Sequence, residues 1–132
     1  MPAFDELSIF VPGEIWTINA ERKMHHFQRS SLVEPLRTAA GLLARNWLRT
    51  GGMAFTTPVE VRFVPHQKNR GVAADTANHL PACKAVLDGL VDAGVIPEDN
   101  PSWVLSQTFY PPLKTKSTGV LVLMQEATDE VR

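Results

Sequence analysis

Cysteine is almost missing from this chain, and its scarcity excludes several kinds of site. Cys83 is the only cysteine among 132 residues, so no internal disulfide can form. A zinc site built on several thiolates is excluded for the same reason. A single thiol is typical of a reducing compartment.

The sequence also has little net charge and no long apolar run. Its formal net charge is -1, so any nucleic-acid binding must come from a local basic patch. No apolar segment approaches the ~20 residues that span a bilayer. The amino terminus carries acids where a signal peptide needs basic residues. We therefore expect a cytoplasmic chain without a membrane segment. Glycine-rich phosphate loops are missing too, and no organic cofactor is expected.

What the sequence does have is the alternation of strands and helices typical of an α/β domain. Strand patterns occupy residues 7–12, 58–65, 102–110 and 119–124. The order β-α-β-α-β-β predicts a small two-layer mixed sheet of about four strands with two helices. We expect one domain over residues 1–132, with a frayed tail at 125–132.

Two segments carry the apolar period of a helix. The first is predicted to begin at Ser31, which could form a capping box with Glu34, after a long loop. The second is predicted to begin after Asn78 or His79 and to end at Gly94. Their predicted buried faces are Leu32, Leu36, Ala40, Leu43 and Trp47 in the first, and Leu80, Cys83, Leu87, Leu90 and Val91 in the second.

Carboxylates flank the second predicted helix at both ends. Asp75 precedes it, and Glu98 and Asp99 follow it. Such hard oxygen ligands suit Mg²⁺. They are equally the ordinary charges of helix ends, and Lys84 is placed to pair with Asp88 at i, i+4. A helix of this length covers about 20 Å, so the acids meet only if the loops double back or two subunits contribute.

The segment "DTANHLPACKAVLDGLVDAGVIPEDNP" resembles the signature of the RusA family of Holliday-junction resolvases, in the form common in phages of actinobacteria. That signature has an Asp-x-Asp-Asn box, a proline, Lys-Ala, Asp-(Gly/Ala)-Leu, Ala-Gly-Val and an acidic pair. The matching residues are Asp75, Asn78, Pro81, Lys84-Ala85, Asp88-Gly89-Leu90, Ala93-Gly94-Val95 and Glu98-Asp99. Upstream, "WTINAERK" resembles the family's amino-terminal loop, which here carries Asn19.

The resemblance implies a homodimeric, Mg²⁺-dependent endonuclease (with Mn²⁺ as a possible substitute) that cuts four-way DNA junctions. Asp75 and Asp99 would be metal-binding aspartates, with Glu98 assisting, and Lys84 the catalytic lysine. A third aspartate is expected at position 77, where this chain has Ala77. Because alanine supplies neither a ligand nor a charge, we expect impaired cleavage and retained junction binding. The chain could be a natural variant, a protein that kept only DNA binding, or a deliberate Asp→Ala change.

Cations and aromatics in the predicted loops are candidates for DNA contact. If the loops converge they form a basic patch, and otherwise they are scattered solubilising charges. The candidates are Asn19, Arg22, Lys23, Arg29, Lys68, Arg70, Asn78, Lys114 and Lys116. Trp16, Phe27 and Trp103 could stack on bases, although Trp103 fits a buried strand position better. His25, His26, His66 and His79 have no metal-ligand spacing.

The resemblance thus implies a junction-resolving endodeoxyribonuclease. Two alternatives remain: a branched-DNA-binding recombination accessory protein without catalysis, and a protein-interaction module that kept only the fold.

Overall fold

The computed structural model describes residues 6–68 and 79–128, which form a mixed sheet and three helices. The elements are β1 (Glu6–Pro12), α1 (Ile18–Arg22), α2 (His26–Arg49), β2 (Val59–Gln67), α3 (Leu80–Ala93), β3 (Val104–Phe109), β4 (Leu113–Lys114) and β5 (Gly119–Glu126). The predicted α/β class is confirmed, with three helices instead of two and five strands instead of four. Within the described ranges, no helix combines the length and apolar character needed to cross a membrane.

The sheet has the order β1-β5-β2-β3, and β4 also pairs with β2. Strand β5 is antiparallel to both of its neighbours, whereas β2 is parallel to β3 and β4. Helix α3 makes the crossover between β2 and β3, as parallel strands require. The start of α3 therefore lies at the end of the sheet where β2 finishes.

The core lies between one face of the sheet and helices α2 and α3. Alternate strand residues are buried on that face, among them Val61 and Phe63 of β2 and Val122 of β5. The helices approach each other closely at Gly89 of α3. A Cβ there would lie 2.5 Å from the carbonyl oxygen of Arg37 and 2.6 Å from the Cβ of Ala40. This approach fixes how α3 sits on α2.

Helix α2 begins at His26, so the predicted start at Ser31 is wrong. The Nδ1 atom of His25 accepts the backbone N–H of Phe27 at 3.4 Å, which supplies a cap earlier in the chain than Ser31. The Ser31 hydroxyl donates to the carbonyl oxygen of Gln28 at 2.7 Å instead of capping. Because α2 begins at His26, Pro35 lies inside the helix.

The segment before α2 is also more ordered than the predicted loop. Thr17 caps the short helix α1 by accepting the N–H of Ala20 at 3.0 Å. Trp16 is buried, and its indole Nε1 donates to Glu21 at 2.9 Å. Trp16 is therefore a core residue and not an exposed surface for stacking.

Two other element boundaries and the buried face of α3 differ from the predictions. Strand β5 includes Gln125 and Glu126, so sheet pairing continues into the segment expected to fray. The predicted apolar face of α3 is buried except at Leu80, which is 38% exposed, and Val91, which is half-buried. Trp103 is half-buried and lies just before β3 rather than within it.

Candidate functional site

Lys84 holds two carboxylates together beside α3. Its Nζ donates to Asp88 at 2.7 Å, one turn further along the helix, and also to Asp99, which follows the helix. The predicted i, i+4 pair with Asp88 is confirmed. The contact with Asp99 shows that the chain after α3 doubles back along the helix, which is what the proposed site needs.

Burial of two apolar residues turns the chain back. Gly94 ends α3 in the left-handed conformation, with φ of 87°. Val95 and Ile96 are then fully buried, and the N–H of Val95 donates to the carbonyl oxygen of Leu90 at 3.1 Å. Because these two side chains must enter the core, the residues that follow run back along α3.

A tight turn holds the acidic pair in place. The side-chain amide of Asn100 donates to Glu98 at 2.6 Å, and its carbonyl oxygen accepts the N–H of Ser102 at 2.9 Å. The backbone oxygen of Asn100 also accepts the N–H groups of Trp103 and Val104. Asp99 therefore projects from an ordered turn rather than from a loose loop.

The contact between Lys84 and Asp99 shifts the pKa values of these two side chains in opposite directions. The hydrogen bond from Lys84 lowers the pKa of Asp99 below 3.8, against a smaller opposing effect of desolvation. Desolvation alone would lower the pKa of Lys84, but its hydrogen bonds to Asp88 and Asp99 outweigh it and raise the pKa above 10.5. At neutral pH the cluster is one ammonium between two carboxylates, with one net negative charge.

The remaining members of the predicted metal site lie outside the described residues. These are Asp75 and the altered position Ala77, and the same is true of Asn78 and Arg70. Within residues 6–68 and 79–128, no group of three or more His, Cys, Asp or Glu side chains is arranged to hold a metal ion. The carboxylates of Asp99 and Glu98 are the oxygen donors that Mg²⁺ prefers, so the donor chemistry fits, although further ligands are required.

Three of the predicted DNA-contacting lysines come together at the end of β2. Lys114 lies on β4 opposite Gln67, and the N–H of Lys68 donates to the Thr118 hydroxyl at 3.0 Å. Lys116 lies in the loop between β4 and β5, which also contains Thr118. All three lysines are exposed. The structure thus places these three predicted DNA-contacting lysines near one another, at the end of β2.

Four other predicted DNA-contacting residues, one asparagine and three cations, lie on α1, just after it and at the start of α2. Asn19, Arg22 and Lys23 are exposed there, and Arg29 is exposed on the first turn of α2. Neighbouring aromatic rings lie between Lys23 and Arg29 in the sequence. Phe27 is 73% exposed, and its ring centroid lies 4.2 Å from that of His26. Exposed rings flanked by cations are the usual features of a surface that binds single-stranded nucleic acid.

A cavity of about 420 Å³ separates these two basic groups, and sequence reasoning did not find it. Its lining residues are Glu14, Ile15, Trp16, Thr17, Ala20, Met24, Gln28, Ser31, Leu32, Gln67 and His79. His79 is 2% exposed, and its Nε2 lies 3.1 Å from the amide nitrogen of Gln67. Desolvation lowers the pKa of His79, so the ring is neutral at pH 7. No motif spacing signals this arrangement, because it forms only when α1, α2, the end of β2 and the start of α3 meet.

Cys83 has the environment of an inert core thiol. It is 1% exposed on the buried face of α3, and burial raises its pKa to about 12.

No model of a known protein family matches the chain, and the search of the curated proteins gives no match either.

Proposed function

We propose that this chain is a RusA-like, Mg²⁺-dependent endodeoxyribonuclease for four-way DNA junctions, impaired by Ala77. The observation that carries the proposal is the contact between Lys84 and Asp99. It brings an acid from beyond α3 back to the first half of the helix. It thereby removes the objection that about 20 Å of helix separates the flanking carboxylates.

The chain between residue 75 and α3 is long enough for Asp75 to reach this cluster. Four peptide units join residue 75 to His79, and they span at most about 14 Å. Lys84 lies about 7.5 Å along the helix axis from His79. Asp75, Asp99 and Glu98 would hold the ion, which when bound supplies a more acidic water and stabilises charge on the phosphate.

The chain's own residues have separate tasks in this mechanism. Lys84 keeps Asp99 ionised and oriented, and its ammonium can shift from the carboxylate to a phosphate oxygen as negative charge develops there. Asp88 shares the ammonium and so keeps it near the helix. The basic groups on α1 and at the end of β2 would bind the backbone of the junction arms. We propose a homodimer, because a two-fold enzyme matches the two equivalent scissile phosphates of a junction, and we place the activity in the cytoplasm of a bacterial host.

Restoring the missing carboxylate tests the proposal. The Ala77→Asp variant and the unchanged chain are incubated with a synthetic four-way junction and Mg²⁺, and paired nicks are resolved on a denaturing gel. Ala77→Asn is the matched control, because it has a similar size but no charge. We expect symmetric nicking with Ala77→Asp only, and its loss when Asp99→Asn is added.

The alternatives predict different results in the same assay. A recombination accessory protein would bind the junction in a salt-dependent way and never nick it, even with Asp at position 77. A protein-interaction module would show no salt-dependent junction binding at all.

A further inference from the structure

We propose that the cavity between α1, α2 and the end of β2 binds one unpaired nucleotide, with the base inside and the phosphate at the rim. The inference deepens the proposed function, since it names the part of a branched DNA that this surface would hold. It rests on the shape, lining and charge of the cavity.

The lining suits a flat, neutral ligand that makes hydrogen bonds at its edge. Ile15, Trp16, Met24 and Leu32 provide apolar walls. The amides of Gln28 and Gln67 add both donors and acceptors, which is what the edge of a base requires. The cavity volume of about 420 Å³ is in the range of small-ligand pockets.

Charge separates the interior from the rim. Of the described residues that line the cavity, none is a lysine or an arginine, and Glu14 is acidic. An anionic phosphate would therefore be disfavoured inside. Two exposed lysines adjoin the lining in the sequence, since Lys68 follows Gln67 and Lys23 precedes Met24. A described lining without lysine or arginine, with two lysines beside it, matches a nucleotide, whose base is neutral and whose phosphate is anionic.

The position of the cavity fits an extrahelical base near the proposed cleavage site. His79, which lines the cavity, immediately precedes α3, and Lys84 lies on the second turn of the same helix. A base drawn out of a branch point into this cavity would fix the backbone beside it.

Mononucleotides test the cavity without requiring cleavage. The ¹⁵N–¹H signal of the Trp16 indole is followed while deoxyadenosine or thymidine 5′-monophosphate is added, and 2-deoxyribose 5-phosphate serves as the base-free control. We expect a saturable shift with the mononucleotides and none with the sugar phosphate. Equal shifts with the sugar phosphate, or no shift with any of the three, would overturn the proposal.

Substitutions in the lining locate the site. Ala20→Leu fills the cavity and Gln28→Leu removes one amide, whereas Ala54→Leu changes an exposed residue outside the lining. We expect the first two to weaken mononucleotide binding by about tenfold or more, and the third to leave it unchanged. Unchanged affinity in both lining variants, with native urea midpoints, contradicts the proposal. Because junction nicking is not measured, failure of the nuclease proposal and failure of this one remain distinguishable.

Discussion

Lys84 and Asp99 lie fifteen residues apart in the sequence, and their side chains are in contact beside α3. Both are partly exposed, at 54% and 35% of their side-chain surface. Exposed ion pairs contribute little to stability, so the value of this pair lies in where it places the carboxylate.

Asp99→Asn should therefore separate stability from activity. We expect a loss of less than about 1 kcal/mol in the free energy of unfolding, because solvent screens the pair. Asp92→Asn is the matched control, since Asp92 pairs with Arg37 at 2.6 Å at similar exposure. In the Ala77→Asp background, Asp99→Asn should abolish nicking and Asp92→Asn should leave it intact. Equal activity in the two variants would remove Asp99 from the site.

The stability given by Asp99 should depend on pH in a defined window. Its folded pKa lies below its ordinary value of 3.8, so its contribution is fully present above that value and is lost as the pH falls through the folded pKa. The partner Lys84 has a pKa raised above 10.5, so its contribution disappears only as the pH rises through that higher value. Urea midpoints of the unchanged chain and Asp99→Asn should differ near pH 7, and the difference should shrink as the pH falls below 3.8. A difference that stays constant as the pH falls below 3.8 would rule out this electrostatic origin.

The helix crossing at Gly89 should tolerate no side chain. Gly89→Ala places a Cβ 2.5 Å from backbone on α2, so we expect a loss of about 1–3 kcal/mol in unfolding free energy. Gly41→Ala on the facing helix is the control, because its Cβ would meet its nearest neighbours at an ordinary 3.5 Å. Urea denaturation of both variants measures the contrast. Equal midpoints would mean that α2 and α3 can move apart freely.

Phe27 should matter for DNA and not for folding. Its ring is 73% exposed, so Phe27→Ala should leave the unfolding midpoint unchanged. Loss of one stacked base is worth roughly 1–3 kcal/mol, which corresponds to about 5- to 150-fold weaker binding of a junction with unpaired bases at its centre. Leu42→Ala, also exposed on α2, serves as the control in the same gel-shift titration. Similar affinities for both variants would exclude stacking by Phe27.

The Cys83 thiol should report global unfolding. With a pKa of about 12 and almost no exposure, it should not react with a thiol reagent at pH 8 while the chain is folded. Labelling in increasing urea should follow the unfolding curve measured by fluorescence. Rapid labelling without urea would show that the start of α3 opens locally.

Apolar period predicted the elements that hold the core, and local signals misplaced some of their ends. The stripe from Leu32 to Trp47 is indeed buried or half-buried, because a repeating pattern reflects packing along a whole helix. The start predicted at Ser31 is wrong because a helix can begin at any earlier residue that is also capped. His25 caps α2 upstream of Ser31. Element type was therefore better determined than element boundaries.

The candidate site was predicted in composition more than in geometry. The pair of Lys84 with Asp88 follows from helical spacing alone. The contact with Asp99 depends on the burial of Val95 and Ile96, which is a tertiary event, and the cavity depends on four elements meeting. Neither leaves a short-range signal in the sequence.

The two prolines between β3 and β4 limit how copies of the chain can associate. Pro111 and Pro112 separate β3 from β4, the two strands that run parallel to β2. Neither proline has a backbone N–H to donate. A second sheet laid against this margin would find a backbone donor missing, which discourages ribbon-like assembly. A symmetric partner would therefore join through side-chain surfaces rather than by extending the sheet along this margin.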